Sequence, residues 1–301
     1  KVIVIGSIHL DLVSRVNEIP KSGETVMGED LSYFYGGKGA NQAVAAARQG
    51  ARSFMIGKVG NDNFASFLKD NLKQNNVNND YVSQDTQKSS GVALIAVNSS
   101  GENSIIVSKG ASGALTFDDV SRAKDLFSEG DYVLFQLEVS LETVERAIRF
   151  VRQKGCKVIL DPAPAAKLSP EVLQMVHIIT PNTAEISTLT GLAVNSDDEA
   201  LAAAKRLQEV TNAKVILTRG SSGSLLLDEK GAKFFKAYEV IPVDTTAAGD
   251  CFNGSLAAAL ARGASIEDAI DCASKAAACA VTKKGAQPSL PTLAEVNAFF
   301  S

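Results

Sequence analysis

The sequence contains no tryptophan, only two histidines, and only four cysteines among its 301 residues. The cysteines are Cys156, Cys251, Cys272 and Cys279. No two of them form a C-x-x-C pair, so the sequence carries no zinc or thiol-redox signature, and we expect buried, reduced thiols. No run approaches the roughly 18 apolar residues of a membrane span. The first residues also lack the apolar region and cleavage site of a signal peptide, so we expect a cytoplasmic protein with no membrane partner.

The charge balance excludes another class of partner. Lysine and arginine number 30 against 34 acidic residues, which gives a formal net charge of −4. A mildly acidic chain lacks the basic stripes that sequence-independent nucleic-acid binding needs, so we expect no nucleic-acid partner. Hydrophobic residues make up 45% of the chain, enough for a large core, and we predict a single domain over residues 1–301.

Short apolar runs rich in β-branched residues predict an α/β fold. Each run is apolar on both faces, as in the central strands of a parallel sheet. The runs are Val2–Ile5, Tyr132–Phe135, Lys157–Leu160, Ile178–Thr180 and Val215–Thr218. Helical periodicity between them predicts helices over Leu141–Gln153 and Asp197–Val210.

Two regions, about 9–35 and 91–108, alternate polar and apolar residues instead. The second predicts a hairpin with its turn at Asn98–Gly101. We interpret the two regions as one small sheet with a single buried face. Such a sheet is too thin to be stable alone, so a substrate or a second subunit would have to cover it.

A glycine-rich stretch, Tyr35–Gln42, precedes a predicted small-residue helix over Ala43–Gln49. Its glycines allow the backbone to approach a ligand closely. It is not a P-loop, because glycine follows Lys38, and it lacks the third glycine of a dinucleotide fingerprint. The alternative is a tight turn that starts a helix.

Three further loops directly follow predicted strands, where ligands of open α/β sheets bind. They are Asp161–Ala165, Thr180–Glu185 and Thr218–Gly223. Asn182 and Glu185 are three residues apart at a helix start, and their oxygens suit a hydrated magnesium ion. The alternative is that they cap the helix. The third loop either lies along the phosphates of a nucleotide or joins two strands.

The strongest motif is Val243–Gly254, which precedes an apolar helix that continues through Leu260. Ala247, Ala248 and Gly249 are small, so their backbone amides can gather around an anion at the helix N-terminus. Asp250 follows in the first turn. A carboxylate there could accept the proton of an alcohol that attacks a phosphoryl group. The alternative is that Asp250 caps the helix.

Together these five sites resemble the ribokinase-like sugar kinase family from Val4–Ser7 to Lys284–Ser289. The two signature stretches are Gly36–Asn41 and Asp244–Asp250. The resemblance implies a mostly parallel sheet with helices on both faces, a small β-sheet lid, and transfer of phosphoryl from ATP to the terminal hydroxyl of D-ribose. Alternatives are a kinase of 2-deoxyribose, another sugar or a nucleoside, a sugar-binding regulator without turnover, and a nicotinamide oxidoreductase.

The resemblance also implies roles for individual residues. Implied sugar contacts are His9, Asp11, Gly37, Lys38, Asn41, Glu138 and the base Asp250, with Ala247, Ala248 and Gly249 as the anion hole. Implied nucleotide contacts are Asn182, Thr218, Arg219, Gly220, Ser221, Gly223, Gly249 and Ser274. Mg²⁺ would be held through water by Asn182 and Glu185, and K⁺ by Asp244 and Thr246 with the backbone of Ala280, Lys283, Gly285 and Ser289.

His9 departs from the family pattern, which has asparagine two residues before the first sugar-binding aspartate. Side chains two apart on a strand point the same way, so we expect His9 to lie beside Asp11 in the sugar pocket. An imidazole is larger than the amide, which places the identity of the sugar in question. The resemblance and the alternating pattern of the second region both predict a homodimer formed through the small sheet.

Overall fold

The computed structural model describes residues 1–301. Its thirteen strands are numbered along the chain as β1 (Val2–Ile5), β2 (His9–Val16), β3 (Gly28–Gly36), β4 (Ser53–Val59), β5 (Val77–Gln84), β6 (Gly91–Val97), β7 (Asn103–Ser108), β8 (Tyr132–Phe135), β9 (Lys157–Leu160), β10 (Ile178–Ile179), β11 (Lys214–Thr218), β12 (Ser224–Asp228) and β13 (Gly231–Phe235).

Ten α-helices connect and cover these strands. They are α1 (Lys38–Arg48), α2 (Asn63–Gln74), α3 (Phe117–Ser121), α4 (Leu141–Gln153), α5 (Pro170–Leu173), α6 (Thr183–Thr190), α7 (Asp197–Gln208), α8 (Ala248–Ala261), α9 (Ile266–Ala280) and α10 (Leu293–Phe299). None of the helices is both long enough and apolar enough to cross a membrane.

Nine strands form the main sheet, in the order β13-β12-β11-β10-β9-β8-β1-β4-β5. All neighbours are parallel except at one edge, where β12 is antiparallel to both β11 and β13. Alternate side chains of β1 enter two different cores: Val2 and Val4 belong to the core that includes α1 and α8, whereas Ile3 and Ile5 belong to the core that includes α4. Both faces of the central strands are therefore buried, as their apolar runs predict, and the α/β fold class is confirmed.

The remaining four strands form a small second sheet in the order β3-β2-β6-β7. The two alternating regions of the sequence thus pair with each other, and the predicted hairpin joins β6 to β7. The outer strand β7 is exposed along its whole length. Leu10, at the start of β2, is buried in the core beside α1, so one end of the small sheet is anchored to the main domain.

Helix α1 begins at Lys38, five residues before the predicted start at Ala43. Tertiary acceptors explain the early start, because they satisfy amides that the first turn of a helix leaves unpaired. The backbone N–H of Lys38 donates to the Glu138 carboxylate at 3.1 Å, and that of Ala40 donates to the Ser7 carbonyl at 2.9 Å. Neither acceptor is visible in the local sequence.

Helices α1 and α8 pack closely, and this contact positions the site described below. A Cβ atom on Gly254 would lie 2.5 Å from the Gln42 carbonyl oxygen and 2.6 Å from the Ala45 Cβ. The bare backbone of glycine therefore allows the two helices to approach until their first turns meet.

Candidate active site

Asp250 lies in the first turn of α8 and is buried. Its two carboxylate oxygens accept hydrogen bonds from α1, one from Asn41 Nδ2 at 2.9 Å and one from Gln42 Nε2 at 3.1 Å. The residue that caps α8 is Ala247, whose φ of 59° lies in the left-handed region. The alternative that Asp250 serves as the helix cap is therefore wrong.

The backbone around Asp250 presents unpaired donors. The N–H groups of Ala247, Gly249 and Asp250 donate to no protein acceptor, whereas the N–H of Ala248 donates to the Thr245 carbonyl at 3.2 Å. Apart from its chain neighbours and the backbone of its own helix, no atom lies within 4 Å of the position that a Cβ on Gly249 would occupy. Three free amides at a helix N-terminus, facing open space, form a site suited to an anion.

These groups border a polar cavity of about 200 Å³. Its lining residues are Lys38, Asp161, Ala163, Thr180, Asn182, Glu185, Thr218, Thr245, Ala247, Ala248, Gly249, Asp250 and Asn253. Residues from all five sequence motifs therefore meet in one cavity. The cavity lies where β9, β10 and β11 end, as expected for an open α/β sheet.

Gln42 connects two buried carboxylates, a role that the sequence interpretation missed. Gln136 Nε2 donates to Gln42 Oε1 at 2.6 Å, which fixes the orientation of the Gln42 amide. Its Nε2 then donates to Asp161 at 2.8 Å and to Asp250 at 3.1 Å. These partners are 94, 119 and 208 residues away from Gln42, so no local pattern could have revealed them.

Burial raises the pKa of Asp250 above its ordinary value, while Lys38, Asn41 and Gln42 oppose this rise. Burial also raises the pKa of Asp161 well above its ordinary value, against the opposing charge of Lys38. Conversely, Asp250 is the main reason why the pKa of Lys38 is raised. The charged forms of Asp161, Asp250 and Lys38 thus stabilise one another, because a buried charge without a partner is costly.

Another group of polar side chains connects the small sheet to the start of α1. Ser7 Oγ donates to the Glu138 carboxylate, which also accepts the N–H of Lys38. The pKa of Asp11, on β2, is raised to about 6 by burial and by the nearby charges of Glu138 and Asp250. Asp11 therefore lies near Glu138 and near Asp250, which lines the cavity.

His9 is buried on β2, and its Nε2 has no hydrogen-bond partner. It pairs with two glycines, Gly36 on β3 and Gly91 on β6. A Cβ atom on Gly91 would lie 2.2 Å from the imidazole Cδ2, so only glycine at that position leaves room for the ring. Burial lowers the pKa of His9 against the opposing charge of Glu138, which favours a neutral ring with one donor and one acceptor.

Asn182 and Glu185 cap α6 and also line the cavity. Asn182 Oδ1 accepts the N–H of Glu185 at 2.9 Å, and Glu185 Oε2 accepts the N–H of Asn182 at 2.8 Å. The capping alternative is thus correct, and it leaves the second Glu185 oxygen unused. No group of three or more histidine, cysteine or acidic side chains forms a metal cage. Fewer protein ligands suit Mg²⁺, which keeps several waters and binds substrate phosphates.

The remaining nucleotide candidates do not line this cavity, apart from Gly249 and Thr218. Arg219 instead pairs with Asp197 at 2.6 Å and lies over the ring of Phe234. Gly220, Ser221 and Gly223 form the turn between β11 and β12, and Ser274 is half-buried on α9.

Three of the expected monovalent-cation residues, Asp244, Thr246 and Gly285, come together from two distant segments. Asp244 accepts the N–H of Thr246 at 2.9 Å and the N–H of Gly285 at 2.8 Å. Partial burial acts to raise the pKa of Asp244, but these hydrogen bonds outweigh it and hold the pKa below its ordinary value. Ala280 ends α9, and Lys283 and Ser289 lie on either side of Gly285 in the turn-rich segment that follows. An ionised carboxylate is an oxygen ligand of the kind that hard cations prefer.

Residues 1–293 match the family described as pfkB family carbohydrate kinase. The chain belongs to this family. It is 40% identical to the ribokinase of Haemophilus influenzae over 98% of this chain and 97% of that protein. It is 38% identical to the deoxyribokinase of Salmonella typhi over 99% of this chain and 98% of that protein. The structure of Arabidopsis thaliana ribokinase complexed with ribose and ATP has a TM-score of 0.91, with 29% identity, and covers 100% of this chain and 98% of that one.

As a pfkB family carbohydrate kinase, the chain is a phosphotransferase that acts on a sugar. This membership confirms the expected kinase class, and the nicotinamide oxidoreductase alternative is wrong. The buried position of Asp250 beside free amides agrees with a site built for turnover rather than for sugar binding alone.

The Gln42 amide gives a testable pH dependence. Its hydrogen bond lowers the pKa of Asp250, so Gln42→Met, which has a similar shape but no donor, should raise that pKa further. If ionised Asp250 is needed, activity is lost as pH falls through this pKa. The acid limb of the pH profile of kcat/KM should therefore move to higher pH in the variant.

Gln49→Met is the matched control, because Gln49, the residue that follows α1, is also buried but donates to the Pro291 carbonyl, away from Asp250. An acid limb at the same pH in Gln42→Met and wild type would show that the amide does not tune the carboxylate.

Proposed function

We propose that this sugar kinase transfers the terminal phosphoryl group of ATP to the terminal hydroxyl of D-ribose, giving ribose 5-phosphate. The observation that carries the proposal is the buried carboxylate of Asp250 next to the three unpaired amides at the start of α8. Similarity to ribokinases, one of them solved with ribose and ATP, supports ribose and ATP as the substrates.

In the proposed reaction, the sugar hydroxyl approaches Asp250 while the phosphoryl group lies over the amides of Ala247, Gly249 and Asp250. Asp250 accepts the hydroxyl proton as the oxygen–phosphorus bond forms and the bond to ADP breaks. The free amides stabilise the charge on the transferring oxygens. Asn41 and Gln42 hold both carboxylate oxygens, so Asp250 cannot rotate away from the hydroxyl.

Sugar binding would use the group of side chains between the small sheet and α1. Asp11, Asn41 and Glu138 offer acceptors and a donor for ring hydroxyls, and Gly37 allows the backbone to approach. Lys38 lies close enough to Asp250 for that carboxylate to be the main cause of the raised Lys38 pKa, and it would bind a phosphate or a hydroxyl. The small sheet would act as a lid that excludes water from the bound sugar.

On the nucleotide side, the loop from Thr218 to Gly223 would run beside the phosphates, with Ser274 near the adenine. Asn182 and Glu185 would hold Mg²⁺ through water next to the phosphates. A bound magnesium ion would neutralise phosphate charge there. Asp244 and Thr246, with nearby backbone, would hold K⁺ beside the amides at the start of α8.

A kinase of 2-deoxyribose is the second candidate. The observation that favours it is His9, whose buried Nε2 is unpaired beside Asp11. Similarity to a deoxyribokinase at 38% identity is consistent with either sugar. A coupled assay of ATP consumption over pentoses, hexoses and nucleosides would separate these substrates. Turnover restricted to hexoses or nucleosides would contradict both candidates.

Replacing the proposed base tests the mechanism. Asp250→Asn keeps the shape of the side chain but cannot accept the proton, so kcat should fall about 100-fold or more. Ribose binding, measured by calorimetry, should persist. Asp125→Asn, at an exposed position on another surface, is the control and should leave kcat unchanged. Near-normal turnover of Asp250→Asn would remove Asp250 from the role of base.

Replacing His9 tests the choice of sugar. His9→Asn shortens the side chain and changes its donors, so the ratio of kcat/KM for ribose to that for 2-deoxyribose should change. The phosphoryl-transfer groups are not touched, so kcat on the better sugar should stay similar. A ratio within about threefold of the wild-type value, under about 1 kcal/mol, would show that His9 does not select the sugar.

Potassium should raise the activity, because a cation bound at Asp244 would order the backbone that leads to Ala247. Potassium should also raise the thermal unfolding midpoint of wild type but not of Asp244→Ala, which loses the carboxylate. Equal rates and equal midpoints in sodium, in potassium and in cation-poor buffer would contradict the proposed site.

The small sheet should form a homodimer interface. Tyr33, Leu12, Leu94 and Ile106 are paired across its four strands and form one apolar row. Three of these four side chains are exposed and large, and an apolar face of this kind needs cover. Wild type should sediment as a dimer, and Ile106→Asp should shift it toward monomer. A wild-type monomer at micromolar concentration would contradict the interface.

A further inference from the structure

A second, larger cavity of about 710 Å³ opens at the end of the main sheet where the parallel strands begin, whereas Asp250 lies where they end. It lies where strands β8, β9 and β11 begin, and its volume falls within the range of small-molecule sites. Tyr132, Lys157 and Lys214 line it from the strand starts, His177 from the residue before β10, and Arg152 from α4. None of these residues takes part in the proposed phosphoryl transfer.

The hydrogen bonds of His177 leave two donors facing each other. The N–H of Val158 donates to His177 Nδ1 at 3.0 Å, so Nδ1 carries no proton. In the neutral ring the proton must then lie on Nε2. Nε2 is 3.0 Å from Arg152 Nη1, which is also a donor. Protonating the ring would not resolve the conflict, since both ring nitrogens would then be donors.

The surrounding positive charge is only partly neutralised. Lys214 pairs with Asp228 at 3.6 Å and with Glu229 at 2.5 Å. Arg152 and Lys157 have no acidic partner within salt-bridge distance.

Arg152 has a further unused donor. Its Nη1 donates to the Cys156 carbonyl at 2.9 Å, but its Nε is buried with no acceptor. Native proteins rarely leave buried donors unpaired unless a ligand, ion or water satisfies them. The Nε group of Arg152 and the Nε2 group of His177 both lack an acceptor, and both residues line the same cavity.

The unpaired donors and the positive charge of the cavity therefore suit a negatively charged ligand with several hydrogen-bond acceptors. The pKa of His177 is lowered to about 4, mainly by burial and further by the nearby positive charges of Arg152 and Lys157. A phosphate group offers several acceptor oxygens and nearly two negative charges, and guanidinium and ammonium groups are its usual partners. The Tyr132 ring and the apolar side chains of Leu260 and Ile266 could contact an organic part of the ligand.

We propose that this cavity binds the phosphate group of a small phosphomonoester, held by Arg152, His177 and Lys157. The site is separate from the catalytic cavity, since it lies at the other end of the parallel strands. It does not depend on the identity of the sugar that the kinase phosphorylates.

The two histidines of the chain make the test specific. Full-length protein labelled with ¹⁵N-histidine gives ring signals from His9 and His177 only, and His177→Asn assigns them by loss of one set. In the free protein His177 should be the Nε2–H tautomer. Added inorganic phosphate should shift its Nε2 signal in a saturable way, and ribose 5-phosphate and AMP should show whether an organic part strengthens binding.

Arg152→Gln should abolish the saturable shift of His177 while the His9 signals remain as in wild type, which shows that the variant is folded. Lys154→Gln is the matched control on the neighbouring exposed turn, where Lys154 contacts the Phe150 ring, and it should keep the shift. An Nδ1–H tautomer of His177 would overturn the proposal, because Arg152 could then donate to Nε2. Phosphate that shifts only the His9 signals would also overturn it, since binding would then be confined to the catalytic side.

Discussion

The structure of the site depends on one buried carboxylate, Asp250, and on how its charge is stabilised. A carboxylate removed from water must find a positive partner or hydrogen-bond donors, or else become protonated. Here Asn41 and Gln42 supply the donors and Lys38 supplies the charge, all from the first turn or two of α1. The need to satisfy Asp250 therefore ties the start of α1 to the start of α8. Gly254 permits this approach, because any larger residue would collide with α1.

The need to stabilise Asp250 also links the proposed sugar-binding residues to the proposed phosphoryl-binding amides. Lys38 donates its backbone N–H to Glu138 while its side-chain charge responds mainly to Asp250. The proposed sugar contacts and the proposed base therefore share one short segment of chain. The free amides of α8 lie immediately before Asp250, so the acceptor of the proton and the site for the phosphoryl group are fixed relative to each other by a single helical turn.

Much of this could be predicted from the sequence, because the relevant signals are local. The buried strands follow from apolar runs, and the cap formed by Asn182 and Glu185 follows from their spacing of three. The early start of α1 could not be predicted, because its first amides are satisfied by Ser7 and Glu138 rather than by nearby residues. Gln42 was missed for the same reason. The local sequence also could not show whether Asp250 caps α8 or is buried and accepts hydrogen bonds. The side chains that donate to it, Asn41 and Gln42, lie more than 200 residues away in the sequence.

The most direct test of the account is to identify which oxygen of the sugar receives the phosphoryl group. Ribose and ATP would be incubated with the protein, and the product examined by ³¹P–¹H correlation spectroscopy. If Asp250 removes the proton of the terminal hydroxyl, the phosphorus should couple to the two methylene protons at C5. Phosphorus on the C1 oxygen, or release of inorganic phosphate without a sugar phosphate, would contradict the account.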